Sequence, residues 1–139
     1  MTAVDTNVVV RLLTGDDVQQ AAAAKSLVAE QPIWIAKTVL LETGWVLRSA
    51  YGFSEVAVRD AFGKLLGLKN VHAEDQPGVA AALALTVHGL EFADALHQSS
   101  RPPGAAFVSF DRDFIRAAKR AGASNISGLS SGPGARPAR

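Results

Sequence analysis

The chain has 139 residues, no cysteine and a formal net charge of +1, with 14 Lys and Arg against 13 Asp and Glu. Its length predicts one domain, and 48% hydrophobic residues are enough for an ordinary core. The missing cysteines exclude disulfides, thiolate metal sites and a cysteine nucleophile. The small net charge excludes nucleic-acid binding by bulk charge alone.

Strands and helices alternate from the start of the chain. Apolar periodicity, β-branched runs and turn residues mark the elements of the first 50 residues. These elements are strands at 3–5 and 33–36 and helices at 7–13, 18–30 and 37–50. Either Asp16 or Asp17 is placed to cap the second helix. In the helix from Lys37, an apolar stripe contains Val39, Trp45 and Val46.

The same alternation continues to residue 126. The predicted elements are helices at 54–68, 74–89, 91–100 and 111–122, and strands at 70–73, 105–110 and 124–126. This order predicts an α/β fold with a mostly parallel sheet of four or five short strands. Residues 1–126 are therefore expected to form the domain. Residues 127–139 are rich in Gly, Pro, Ser and Arg and are expected to be a disordered tail.

Four acidic residues lie within or next to apolar segments of the sequence. Asp5 closes the first strand and Asp111 closes "AAFVSF", and sites in parallel α/β sheets lie outside the carboxyl ends of strands. Glu42 lies in the apolar helix "TVLLETGWVLR", and Asp94 lies in "LEFADALH". Each has a structural alternative, since Asp5 and Asp111 are also suitable helix caps and Asp94 is of a type that usually faces solvent.

If these carboxylates converge, they need a cation. Carboxylates that lie close together repel one another and take up protons, and a divalent ion removes that penalty. Oxygen ligands of this kind suit Mg²⁺ or Mn²⁺ rather than zinc. The three histidines show no zinc spacing, and only His97, on the helix of Asp94, is expected near the site.

Four motifs, in order along the chain, resemble those of the PIN-domain family, and most closely the VapC toxins of bacterial toxin–antitoxin pairs. They are "AVDTNVVVRLL", "TVLLETGWVLR", "FADALH" and "FVSFDRDF", and the resemblance runs from Ala3 to about Ala121. By this resemblance the catalytic and metal-binding positions are Asp5, Glu42, Asp94 and Asp111, with Asp113 as the substitute or assistant of Asp111. Small polar residues that line such sites correspond to Thr6, Asn7 and Ser109.

The resemblance also implies a fold and a function. It implies a three-layer α/β/α domain that acts as a Mg²⁺- or Mn²⁺-dependent endoribonuclease toxin. It implies a homodimer whose inhibitor is a VapB-type antitoxin, with a cationic antitoxin tail placed in the acidic pocket. No apolar run long enough for a membrane span and no N-terminal signal pattern is seen, so a cytoplasmic location is expected.

The expected mechanism is hydrolysis of the RNA phosphodiester by metal-activated water. Flanking phosphates would be held by arginines, for which the candidates are Arg11, Arg48, Arg101, Arg112 and Arg116. For Asn7 the structural alternative is helix capping, and for Ser109 it is a local backbone bond. Because only 6% of residues are aromatic, little is left for base stacking, and a folded RNA read by shape plus a short exposed loop is expected.

Other functions remain open at this stage. The main alternative is a PIN-like binding module without catalysis, whose acidic pocket docks a cationic partner tail. A phosphotransferase of the haloacid-dehalogenase kind needs a second Asp two residues after Asp5, and that position is Asn7. The chain lacks the acidic pair that a response-regulator receiver carries near its first strand. It is also too short to include the added DNA-gripping domain of a DNA flap-type nuclease.

Overall fold

The structure is a computed structural model that describes residues 1–130. Within this range the chain forms five strands and seven helices. The strands are β1 (Thr2–Ala3), β2 (Ile33–Ile35), β3 (Val71–Ala73), β4 (Phe107–Ser109) and β5 (Ile126–Gly128). The helices are α1 (Thr6–Thr14), α2 (Val18–Glu30), α3 (Lys37–Ser49), α4 (Glu55–Leu66), α5 (Gln76–Thr86), α6 (Phe92–Ser99) and α7 (Arg112–Arg120).

All five strands pair in parallel, which confirms the α/β class. Their hydrogen-bonded pairs place β1-β2-β3 in one sheet and β4-β5 in another. In the first sheet Ile33 pairs with Thr2 on one side and with Val71 on the other, and in the second Phe107 pairs with Ile126.

The second sheet carries the chain beyond the predicted end of the domain. β5 continues to Gly128, and the backbone N–H of Leu129 donates to the carbonyl of Ser109 at 3.0 Å. Of the predicted tail, residues 131–139 lie outside the described residues.

Aspartate and serine side chains determine where several helices begin. Asp5, Asp17 and Asp75 accept backbone N–H bonds at the starts of α1, α2 and α5, and Ser54 does so for α4. Such caps satisfy N–H groups that have no partner inside the helix. The cap of α2 is therefore Asp17 rather than Asp16.

The core forms where the short strands meet the apolar faces of α3, α4 and α6. Ile33 and Ile35 of β2 are buried, as are Leu40 and Leu47 of α3. The ring centroid of Phe62 on α4 lies 4.8 Å from that of Phe92 on α6. α3, which carries Glu42, packs against α1, α4 and α6, so it joins the elements of Asp5, Glu42 and Asp94. Among residues 1–130, every helix is too short or too polar to cross a membrane.

Candidate active site

The first two predicted acids, Asp5 and Glu42, lie at the start of α1 and on the neighbouring helix α3. The carboxylate of Asp5 accepts the backbone N–H of Val8 at 3.2 Å and so caps α1. The next residue, Thr6, donates its hydroxyl hydrogen to Oε1 of Glu42 on α3. Asp5 and Glu42 are both exposed. Thr6 therefore links two acids that are 37 positions apart in the sequence.

The second pair, Asp94 and Asp111, lines shared cavities next to the carboxyl end of β4. A cavity of about 270 Å³ is lined by both residues together with Glu91 and Asp113. An adjoining cavity of about 210 Å³ is lined by both residues together with His97 and Ser109. Asp94 and Asp111 are half-buried, so salt in the solvent screens their charges less than it screens the charges of exposed groups.

Local hydrogen bonds fix Asp111 at the start of α7. Its Oδ1 accepts the backbone N–H groups of Asp113 at 3.0 Å and Phe114 at 3.1 Å. The hydroxyl oxygen of Ser109 accepts the N–H of Asp111 at 3.0 Å. The structural alternatives for Asp111 and Ser109, a helix cap and a local backbone bond, are therefore confirmed. They hold the carboxylate at the cavity, so capping does not conflict with a functional role.

Two of the other candidates are exposed. Asp113 lines the first cavity and forms an ion pair with Arg116 one turn along α7. Asn7 is the second residue of α1 and is exposed. The capping alternative for Asn7 is wrong, because Asp5 already occupies that position.

His97 and the packing of α3 connect the two acid pairs. A larger cavity of about 440 Å³ is lined by Glu42 and by His97, and His97 also lines the cavity of Asp94 and Asp111. Within residues 1–130, however, no three His, Cys, Asp or Glu side chains gather closely enough to hold a metal ion. The oxygen donors fit Mg²⁺ or Mn²⁺ in their chemistry. Binding by all four acids would require the two pairs to draw together.

Comparison with known families identifies the chain. The family model of the PIN domain matches residues 2–120, which is most of the chain. The chain belongs to the PIN-domain family. PIN domains are generally nucleases and typically depend on divalent metals. No curated protein matches this PIN domain at the similarity that the comparison required.

Three of the predicted phosphate-binding arginines have structural roles in the PIN domain. Arg11 donates to Asp16 at 3.1 Å, Arg48 pairs with Glu55 at 2.9 Å, and Arg101 donates to the carbonyl of Ser124 at 2.6 Å. Their guanidinium groups are therefore already engaged by other parts of the chain.

The network around Arg11 also includes Tyr51. The Tyr51 hydroxyl donates to Asp16 and accepts from Arg11, which joins the end of α1 to the end of α3. The hydrogen bond from Tyr51, with help from Thr14 and Arg11, holds the pKa of Asp16 below its ordinary value. On α7, Arg112 is exposed and makes no side-chain hydrogen bond or ion pair with the described residues.

Trp45 lies outside the core, contrary to the stripe that the sequence predicted for α3. Its side chain is 70% exposed, whereas Leu40 and Leu47 of the same helix are fully buried. Trp45 lines the larger cavity beside Glu42. The sequence offered no signal for this exposure, because it depends on how α6 packs across α3.

Proposed function

We propose that this PIN domain is a metal-dependent endoribonuclease that acts as the toxin of a VapC-type toxin–antitoxin pair. The observation that carries the proposal is the shared cavity of Asp94 and Asp111 at the carboxyl end of β4. Carboxylates that face one space are suited to hold a divalent ion, whose charge offsets the repulsion between them. The choice of RNA as substrate and the toxin role are supported by the resemblance of the four motifs.

Each residue has a stated task in this proposal. Mg²⁺ or Mn²⁺ would be held by Asp5, Glu42, Asp94 and Asp111, with Asp113 as the substitute or assistant of Asp111. When bound, such an ion supplies a water of lowered pKa and positive charge beside the phosphate. Thr6 orients Glu42, and Ser109 with the first turn of α7 orients Asp111.

The remaining contacts concern the RNA chain. Asn7, exposed at the start of α1, is assigned to orienting a water or a ligand. Arg112 and Arg116 are exposed on α7 directly after Asp111 and are assigned to the flanking phosphates. Because Arg116 also pairs with Asp113, a phosphate would compete with that carboxylate.

The partners follow from the same resemblance. We propose that the protein is a homodimer in the cytoplasm and that a VapB-type antitoxin places a cationic tail in the acidic pocket. Coexpression with the product of the adjacent gene tests the second point. If Glu42→Gln and Asp94→Asn weaken copurification, a cationic tail in the pocket is supported. If both variants copurify as the wild type does, it is contradicted.

The decisive experiment is cleavage of total RNA by purified protein, with Mn²⁺ or with EDTA, followed by mapping of the cut ends. Hydrolysis by water gives 5′-phosphate and 3′-hydroxyl ends, whereas 2′,3′-cyclic phosphates would mean that the ribose hydroxyl attacks. Asp94→Asn should abolish cutting. Asp60→Asn, an exposed Asp of α4, is the matched control and should cut normally. Absence of Mn²⁺-dependent cutting in the wild type would favour a binding module instead.

A further inference from the structure

We propose that Trp45 is a stacking platform for one unpaired base of the RNA, next to the nucleotide that is cut. This inference rests on the proposed function, because it takes RNA as the substrate. It assigns a positioning role to a residue outside the acidic set. It also adds to the expectation that few aromatic residues are left for stacking, since a single well-placed ring is enough for one base.

Trp45 presents a large ring to solvent at the edge of the candidate site. It is 70% exposed and lies three residues after Glu42 on α3, so the two side chains share one face of the helix. The other tryptophan, Trp34, is half-buried in β2. An exposed tryptophan beside a cavity is a common anchor for binding, because it offers a rigid apolar surface with little entropy to lose.

The cavity beside Trp45 has the size and lining that suit a flat aromatic group. Its volume is about 440 Å³, and its walls are mainly apolar, including Leu41, Trp45 and Phe92. Ligand pockets usually span roughly 300–1,000 Å³. Phe92 is almost fully buried and packs on Phe62, so this wall is fixed before any ligand arrives.

Gly44 allows the Phe92 ring to lie close to α3. A Cβ at this position would lie 3.3 Å from Cδ2 of Phe92, which is a tighter contact than a side chain normally makes. The absence of a side chain therefore lets the Phe92 ring approach α3 and form a wall of the cavity.

One pair of opposite charges at the rim is compensated within the protein, beside the further carboxylates of Glu42 and Glu91. Arg48 pairs with Glu55 at 2.9 Å and donates to the carbonyl of Phe53 at 2.8 Å. The second carboxylate oxygen of Glu55 accepts the N–H of Phe92 at 3.3 Å. A neutral base can therefore enter beside Glu55 without meeting an uncompensated charge at that residue.

The position of the cavity argues for a base of the substrate strand as its occupant. Glu42 lines this cavity and belongs to the predicted metal-binding set, and His97 lines both this cavity and that of Asp94 and Asp111. An RNA strand whose phosphate lay at the acids would therefore have the Trp45 cavity next to it. Proteins that recognise single-stranded RNA commonly stack unpaired bases on aromatic side chains in this way.

The test is equilibrium binding of a short single-stranded RNA in Ca²⁺, with the oligomer shown by gel to stay intact. Trp45→Ala should weaken binding about tenfold, and Trp45→Phe should retain most of the affinity. Removing the base at one particular position of the oligomer should weaken wild-type binding by a similar factor and leave Trp45→Ala unaffected. Val87→Ala, a 63% exposed aliphatic residue after α5, is the control and should bind as the wild type does.

Two outcomes would overturn the inference. One is equal binding by wild type and Trp45→Ala in a preparation that cuts RNA with Mn²⁺, which leaves the nuclease proposal intact. The other is a Trp45→Ala variant that binds RNA normally but loses self-association in sedimentation, which would make this face a protein interface. A third outcome separates the two proposals. If removal of one base weakens RNA binding by the wild type but not by Trp45→Ala, and the wild type never cuts RNA, the nuclease proposal is refuted and the stacking role of Trp45 is supported.

Discussion

Thr6 donates its hydroxyl hydrogen to Oε1 of Glu42, which joins the first residue of α1 to the middle of α3. The residue before it, Asp5, is held by the backbone N–H of Val8. Two adjacent residues thus position two different acids of the candidate site, one through a side chain and one through a helix cap. Supporting bonds of this kind fix ligand geometry in metal sites.

Two substitutions of Thr6 distinguish the effect of its hydrogen bond to Glu42 from the effect of side-chain size. Thr6→Val keeps the shape but removes the donor, and we expect RNA cleavage to fall about tenfold, with more Mn²⁺ needed for half-maximal rate. Thr6→Ser keeps the hydroxyl and should stay close to wild type. Rates measured across a Mn²⁺ titration make the comparison. Identical titrations for Thr6→Val and wild type would show that this bond plays no part in the site.

Two substitutions of Asp111 distinguish its role as a helix cap from its role in RNA cleavage. Asn is as good a helix cap as Asp, so Asp111→Asn should leave the free energy of unfolding nearly unchanged while cleavage falls about a hundredfold or more. Asp111→Ala removes the cap as well and should cost about 1 kcal/mol in unfolding free energy. Urea denaturation and RNA cleavage measure the two effects. Full activity in the folded Asp111→Asn variant would reduce Asp111 to a cap.

Local chemistry made much of this molecule predictable from its sequence. Apolar spacing and turn residues are properties of a few neighbouring positions, and they placed the helices and strands to within a few residues. The caps Asp5 and Asp111 were foreseen for the same reason, because a cap bonds only to the N–H groups that follow it. The parallel α/β arrangement followed from the alternation of these elements.

Properties that depend on distant contacts were harder to predict. Arg11 looked available for phosphate, but its partner Tyr51 lies 40 positions away and becomes a neighbour only in the fold. Trp45 looked like part of an apolar stripe, although the packing of α6 on α3 leaves it outside the core.

The pair of Tyr51 and Asp16 predicts how stability changes in acid. The hydrogen bond from Tyr51 lowers the pKa of Asp16 in the folded state. A carboxyl with a depressed folded pKa contributes stability that is complete above its unfolded pKa, about pH 4, and is lost as the pH falls through the folded value. Tyr51→Phe should therefore unfold at lower urea than wild type at pH 6, and this difference should shrink below about pH 4. A difference that stays constant from pH 6 to pH 3 would contradict the linkage.

Metal binding should stabilise the fold and depend on both acid pairs. In the part of the chain that the structure describes, no three of these acids lie close enough to share an ion, so a site made of all four needs their side chains to come closer on binding. At a hundred times its Kd, Mn²⁺ would add about 2.7 kcal/mol to the free energy of unfolding, which a thermal melt detects as a raised Tm. We expect Asp5→Asn and Asp94→Asn each to abolish this shift, while neither lowers the Tm without metal, because each removes a like charge. Asp60→Asn, the control on α4, should shift as the wild type does. If Asp5→Asn keeps the full shift and Asp94→Asn loses it, the ion belongs to Asp94 and Asp111 alone, and the four-carboxylate site is wrong.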